Sequence, residues 1–527
     1  METIFKKDGR PFFVLGGQSH NSSTYSPHDL AVFWRALDTL HANTAEIPVY
    51  WEAIEPEEGV FDFRSVDTLF EGARAHKKQL ILLWFGTWKN GNMRYVPAWV
   101  KQNPQRFPRV TAHDGARLFV LSSHAEENLR ADQKAFRALM AHLKEQNTDG
   151  TLLAVQVENE AGIAGRSYRD FSPEGWRDAE APVPDEVLKA LEKEPDHDLT
   201  RRWAQRGYPK GENWEMTFGV KAGTEAMTAW SVARYIDQVA AAGKDVYDIP
   251  LYVNVALDGN PWGWNLPGVN YTAGGPIPRL YPLWKAATPH IDLLAPDIYQ
   301  DSRARYEGVC RTYNRKDNAL FVPESGSGAG GNFKNLFYAL GAYDAIGYAC
   351  FGAEDVLTVD GGVRPDSRDL VDSFTCVAAG LPLLTRFRGT GRIHPVVQEE
   401  GEDAFFFEGD KYLVKVDMAD HNRGNYIHRG LTLGQPQQPR ARGLIIEAGP
   451  EEFYVLGTGF TMLLAEKDDL FYSEDRVTNH MPYLCIEEGH FDEAGCFVTD
   501  RIRTGDECDH GVWVYKENGV VHVTLCP

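Results

Sequence analysis

The chain has 527 residues, 43% hydrophobic and 24% charged, enough apolar material for a large core and more than one domain. Its 75 acidic against 54 basic residues give a net charge of −21, which leaves no basic footprint for nucleic acid or an anionic membrane. No apolar stretch reaches the roughly 18 residues of a spanning helix. The N-terminus carries charges where a secretory leader needs an apolar run, and the seven cysteines show neither a CxxC pair nor a metal spacing. The expectation is a cytoplasmic protein with reduced thiols.

From residue 11 short apolar runs alternate with amphipathic stretches. PFFVLGG (11–17) reads as a strand, SPHDLAVFWRALDTLHAN (26–43) as a helix and NTAEIPVYW (43–51) as a second strand. A helix at 65–78, the strand QLILLWFG (79–86), a helix at 125–146 and the strand TLLAVQVENE (151–160) follow. Beyond a helix at 223–244 come strands at 249–257, 291–299, 319–326 and 345–355. Eight such alternations imply a parallel sheet, and eight strands close a barrel. An open doubly wound sheet is disfavoured: no GxGxxG follows the first strand, and polar residues end many strands. The expected fold class is α/β, a (β/α)8 TIM barrel over 1–385.

Residues 161–222, rich in Pro, charge and Trp, read as an insertion after the fourth strand that lies over the catalytic face and shapes the cleft. From 386 to 527 alternating strands joined by Gly, Asn and Asp turns predict an all-β, sandwich-like C-terminal domain. The KENG turn there predicts a hairpin between VWVY and VVHVTL.

The chemistry concentrates in LLAVQVENEAG. Alternation along a strand puts Gln156, Glu158 and Glu160 on one face, and in a closed barrel that face points inward, where an unpaired carboxylate is expensive. Polar groups ending an apolar strand therefore mark a site, with a buried ion pair as the structural alternative. Glu324, in FVPESGSGAGG, ends the seventh strand before a Gly/Ser-rich loop. Glutamates ending strands four and seven would face each other across the mouth. Glycoside hydrolysis needs such a pair, one carboxyl to protonate the leaving oxygen and another to attack, about 5–5.5 Å apart if configuration is retained. The 13 Trp and 22 Tyr suit stacking on sugar rings, or the core.

VQVENEAG resembles the acid/base segment of glycoside hydrolase family 35 β-galactosidases, in clan A, and IPVYWEAIEPEEGVFDF resembles their second-strand segment, which family 42 shares in looser form. PESG is similar to the clan's nucleophile strand. Closest are the variants with GTWKNG after strand three and a small C-terminal β-domain. The resemblance implies Glu160 as acid/base, Glu324 as nucleophile, Asn159 on the sugar 2-OH, Glu158 orienting Glu160 or binding a hydroxyl, and Tyr299 on the nucleophile. Two departures stand out. The family's sugar-binding Glu after strand three is replaced by Thr87-Trp88-Lys89-Asn90, and its strand-two Tyr by Pro48; both bear on recognition of galactose and not on the reaction.

Further binding candidates are Trp88 as a platform with Asn90, Gln18 and His20 after strand one, Trp262 after strand five, and Glu354 with Asp355 after strand eight. No HExxH-type pair is present, and neither a cofactor nor a metal ion is expected. The partner is an oligosaccharide, with no nucleic acid and no membrane; a homo-oligomer stays open. The leading reading is a retaining, exo-acting β-galactosidase. The alternatives are a β-glucosidase, exo-glucosaminidase or transglycosidase with the same mechanism, or a non-catalytic carbohydrate-binding barrel.

Overall fold

The computed structural model describes residues 3–258, 266–328, 330–418, 440–467, 481–508 and 511–527. Eight parallel strands carry the site: β1 (Val14–Gln18), β2 (Thr44–Tyr50), β3 (Gln79–Lys89), β4 (Leu152–Asn159), β5 (Leu251–Val255), β6 (Leu293–Pro296), β7 (Phe321–Val322) and β8 (Gly347–Phe351). They are ordered β6-β5-β4-β3-β2-β1-β8-β7. The seam between β6 and β7 is bridged by other means. The Ile298 N–H donates to the Glu324 carbonyl at 2.8 Å. The Asn318 side chain accepts the Leu294 N–H at 2.9 Å and returns a bond to the Leu294 carbonyl at 3.1 Å, standing in for a strand partner. The result is a nearly closed (β/α)8 barrel.

β3 shows why these segments are strands. All eleven of its residues are buried, as a barrel strand covered on both faces requires. Leu80, Leu82 and Trp84 face the surrounding helices, whereas Ile81, Leu83 and Phe85 point to the barrel axis. With Val14, Ala154, Tyr252, Leu293 and Phe321 they make an apolar plug. Toward the C-terminal ends of the strands the lining turns polar: Gln18, Glu46, Gln156, Asn254 and Asp297 are all buried. That change along the axis is the floor of the candidate site.

The outer layer includes α1 (Pro27–Thr39), α2 (Arg64–Ala75), α3 (Glu126–Gln146) and α4 (Val220–Lys244). Ser26 caps α1 by accepting the Asp29 N–H, and Pro27 opens its first turn, where no donor is missed. The 161–222 insertion differs from expectation. Its helices bury Val187, Leu191, Leu199 and Trp203 in the main core on the barrel's flank, and among the described residues only Ala164 from this stretch lines the central cavity. Their amphipathic faces pack into that core.

The C-terminal strands are β9 (Ile393–Val397), β10 (Ala404–Glu408), β11 (Tyr412–Asp417), β12 (Arg442–Gly449), β13 (Glu452–Thr458), β14 (Phe460–Glu466), β15 (Tyr483–Phe491), β16 (Phe497–Arg503), β17 (Val512–Val514) and β18 (Val520–Leu525). They form a six-stranded sheet, β9-β12-β13-β18-β15-β16, and a four-stranded sheet, β10-β11-β14-β17. Tyr412, Val414, Ile445, Val455 and Met462 fill the core between them. The other face of the larger sheet joins the main core through Leu444, Ile446 and Leu456. Arg442 anchors it: fully buried, it donates to Asp369 at 3.0 Å and to Ser373 Oγ at 2.7 Å, and it lies 4.9 Å from the Phe333 ring centroid.

The KENG segment is not a hairpin. β17 pairs with β14 and β18 with β13 and β15, so the turn carries the chain from one sheet to the other. A 3₁₀ turn at Lys516–Asn518, closed by Asn518 Oδ1 accepting the Tyr515 N–H at 2.8 Å, replaces the two-residue loop a hairpin needs.

Candidate active site

At the C-terminal mouth the ends of β4, β6 and β7 bring three carboxyl groups together. One oxygen each of Glu160, Asp297 and Glu324 lies within 4.8 Å of the others. Glu324 follows β7 and is held on both oxygens: Gln18 Nε2 donates to Oε1 at 2.9 Å, Asn159 and Asn254 approach the same oxygen at 3.5 Å, and Tyr299 donates to Oε2 at 3.0 Å. Four elements thus fix one carboxylate. Asn254 also accepts the Glu160 N–H at 2.8 Å and donates to Asp297 Oδ2 at 2.8 Å.

The backbone departs from a regular strand at this point. Glu158 (φ 65°) and Glu160 (φ 44°) both lie in the left-handed region, which non-glycine residues rarely adopt and which concentrates at functional sites. The turn at Glu158 breaks the alternation, so Gln156, Glu158 and Glu160 do not share a face. Asn159 and Glu160 face the mouth. Glu158 turns into the wall, where it accepts the Thr87 N–H at 3.1 Å and the Trp88 N–H at 2.6 Å. A side chain at position 86 would come within 2.8 Å of Glu158 Oε1, so Gly86 makes room for it. Glu158 thereby holds the end of β3 and is not positioned to bind a sugar hydroxyl.

Trp88 is also reassigned. It is 1% exposed and packs edge-on against Tyr235 at 4.9 Å, so it offers no face to a sugar. Its neighbour Lys89, buried beside the mouth, donates to Asn159 Oδ1 at 2.7 Å and lies 4.8 Å from the Phe85 ring centroid. Asn90 lines a cavity of about 400 Å³ with Glu160, Asn270, Asp297, Tyr299 and Gln300. His20 stands at the rim, its Nε2 3.0 Å from Asp355 and its N–H donating to Glu354. Trp262 lies outside the described residues.

Burial and the neighbouring Glu324 charge raise the Glu160 carboxyl to about 7, against a smaller opposing pull from Lys89. Asp297 is driven well above the usual carboxylate range, first by burial and then by Glu324 and Glu160. Burial likewise raises Glu46, which lies inside the barrel with Tyr252 donating to it at 3.4 Å. Among the described residues Glu160, Asp297 and Glu324 are the one acidic trio close enough to share a cation, though amide and hydroxyl donors already occupy both Glu324 oxygens.

Sequence reasoning passed over Lys89, Glu46, Asn254 and Asp297 as site residues. The signal for the last three was available: each interrupts an apolar strand as Glu160 does, and Asp297 ends its strand two residues before Tyr299. Lys89 was read only as a departure from a family pattern.

Residues 30–233 match the glycoside hydrolase family 42 model, described as β-galactosidase, and residues 370–515 match a domain of unknown function, DUF5597. The β-galactosidase of Xanthomonas manihotis is 30% identical over 184 residues, 32% of this chain and 26% of that protein. The β-galactosidase GalA of Bacillus licheniformis is 27% identical over 174 residues, 31% of this chain and 24% of that protein. The chain thus matches about a quarter of the length of these curated relatives. In fold it is similar to a catalytic mutant of a GH42 β-galactosidase from G. stearothermophilus, with a TM-score of 0.50 and 12% identity across 97% of this chain and 98% of that one. The matched model is family 42, where the short ENE segment suggested family 35. The second-strand segment that the two families share lies inside the matched range, and it is the longer match that points to family 42. Together these findings support a glycoside hydrolase.

Proposed function

We propose that the protein is a retaining, exo-acting β-galactosidase that releases terminal β-linked galactose from oligosaccharides by double displacement. The observation that carries this reading is the approach of the Glu160 and Glu324 carboxylates at the barrel mouth, with oxygens within 4.8 Å. An inverting pair stands about 6.5–9.5 Å apart to admit a water between them. The separation here suits direct attack by one carboxylate.

In the first step Glu324 attacks the anomeric carbon, the glycosidic C–O bond breaks, and the leaving oxygen takes the Glu160 proton. With its carboxyl at about 7, Glu160 still holds that proton near neutrality. In the second step Glu160 takes a proton from water, whose oxygen displaces Glu324 from the anomeric carbon. Asn159, 3.5 Å from Glu324 Oε1, is placed to meet the sugar 2-OH. Lys89 pulls on Asn159 from the other side and fixes the direction of its amide.

One observation favours a second glycone: the end of β3 places the buried Lys89 ammonium beside the mouth, in the segment where the family 35 pattern has a sugar-binding Glu. A panel of aryl β-glycosides, with the first-formed anomer followed by NMR, tests both readings. Fastest turnover of the β-galactoside with β-galactose appearing first is the expected result. Preference for the glucoside or glucosaminide selects the second reading, and an α-anomer or inertness toward the entire panel sinks the double-displacement assignment.

A further inference from the structure

Asp297 is the third carboxyl at the mouth, and double displacement has no step for it. It is 4% exposed, and only its Oδ2 is tied down, by Asn254. Its Oδ1 has no hydrogen-bond partner, and one oxygen of Asp297 lies within 4.8 Å of one oxygen of Glu160. Two buried carboxyls this close cannot both be ionised without strong repulsion, so the pair must hold a proton between them. The groups facing Asp297 from the surrounding strands and loops are Glu160, Glu324, Lys89, Tyr252, Tyr299 and Tyr313. Lys89 is the one cation among them, and it already donates to Asn159. Both line the cavity, but Glu160 is partly exposed whereas Asp297 is almost fully buried, so the proton is harder to remove from Asp297.

We propose that Asp297 is a positioning residue for the acid/base: it remains a carboxylic acid throughout the cycle, and its O–H donates to Glu160. This rests on Glu160 being the acid/base, as read above. When the leaving oxygen takes the Glu160 proton, the new Glu160 carboxylate receives the hydrogen bond from Asp297, which keeps its own proton. When water later returns a proton to Glu160, that bond reverts to one between two neutral acids. No proton leaves Asp297, and the step balances through Glu160 alone. The arrangement lets a largely desolvated Glu160 ionise in mid-reaction without a cation bound directly to it.

Asp297→Asn and Asp297→Ala test this. Asn keeps a neutral donor, so the alkaline limb of kcat/KM stays within about half a unit of wild type and kcat within about tenfold. Ala removes the donor, so the limb moves up by about one unit and kcat falls about 10–100-fold, the worth of a hydrogen bond to a charged group. If Asp297 were ionised in the working enzyme, Asn would remove a negative charge beside Glu160 and the limb would drop by about one unit or more, which overturns the proposal. Unchanged limbs in both variants would reduce Asp297 to packing and overturn it equally. A readout independent of turnover separates this from the functional reading. The infrared spectrum of the resting protein at neutral pH should contain a carboxylic acid carbonyl band that Asp297→Asn abolishes. Absence of that band overturns the proposal even in an active enzyme, and its presence in a protein inert to all β-glycosides sinks only the functional reading.

Discussion

Two buried carboxylate clusters lie within a few residues of each other, and they differ in what they open onto. In the wall outside the barrel, Glu158 and Asp132, a residue of α3, both accept bonds from Thr87. In the mouth, Glu160 stands with Asp297 and Glu324. Both clusters have carboxyls raised chiefly by burial. In the wall every oxygen is matched by a donor: Thr87 and Trp88 N–H groups serve Glu158, while Trp84 Nε1 at 3.0 Å and Thr87 Oγ1 at 2.8 Å serve Asp132. In the mouth Asp297 Oδ1 accepts nothing, and Glu160 and Asp297 line a cavity of about 400 Å³. A perturbed carboxyl is thus a poor marker of chemistry alone; a perturbed carboxyl with unspent hydrogen-bonding capacity facing a cavity is a better one.

The sharpest way to break this contrast is to remove one carboxylate from the mouth. Glu324→Gly should lower turnover of every substrate on the order of 10⁶-fold, because no covalent intermediate can form. Azide should partly rescue it and give the inverted α-glycosyl azide. Glu160→Ala should lose about 10²–10⁴-fold on substrates with poor leaving groups and much less on activated aryl glycosides. There azide should speed breakdown of the intermediate and yield the retained β-glycosyl azide. An α-azide from Glu160→Ala would reverse the two roles.

The wall cluster predicts a loss of a different kind. Glu158→Ala strands the Thr87 and Trp88 N–H groups without acceptors in a dry environment, at about 1–3 kcal/mol each. Thermal unfolding should move to clearly lower temperature, while below that transition the alkaline limb of activity stays at its wild-type pH. A variant of normal stability with a displaced limb would put Glu158 in the chemistry and erase the distinction between the clusters.

This pair of glutamates also shows what the sequence conveyed. The eight strands were legible because each is a buried apolar run bounded by amphipathic helices, and closure follows from their number. Glu160 and Glu324 were legible as a candidate pair because each carboxylate ends a buried apolar run, on strands that face each other across a closed barrel. The orientation of Glu158 was not legible, since alternation presumes extended backbone and the left-handed turn at Glu158 is set by tertiary contacts with Thr87 and Trp88. Trp88 misled for a related reason: β3 runs on through Lys89, keeping Trp88 in the wall where a loop would have exposed it. The KENG turn was misjudged because turn residues report a change of direction and not which sheet the chain enters next.

The smallest predicted effect separates Glu160 from its neighbours by stability alone. Its carboxyl lies at about 7 in the folded protein, above the ordinary value of 4.5, so the folded state holds a proton that the unfolded chain has already released between those limits. The sign follows directly. The favourable contribution of the neutral form is fully present below pH about 4.5 and is lost as pH rises through about 7, because the folded state must then carry a desolvated charge beside Glu324. Glu160→Gln is neutral at every pH and similar in shape. It should match wild type in thermal unfolding near pH 4 and exceed it by a few degrees near pH 8, the gap opening between about pH 4.5 and about pH 7 and staying level above that. Glu158, also raised by burial, should give a gap that moves with pH in the same sense but from a lower baseline, because Gln loses an acceptor oxygen that Thr87 or Trp88 needs at any pH. Differential scanning calorimetry across that range decides it: a Glu160→Gln gap that is constant with pH would mean that Glu160 does not titrate there, and its assignment as the acid would lose its physical basis.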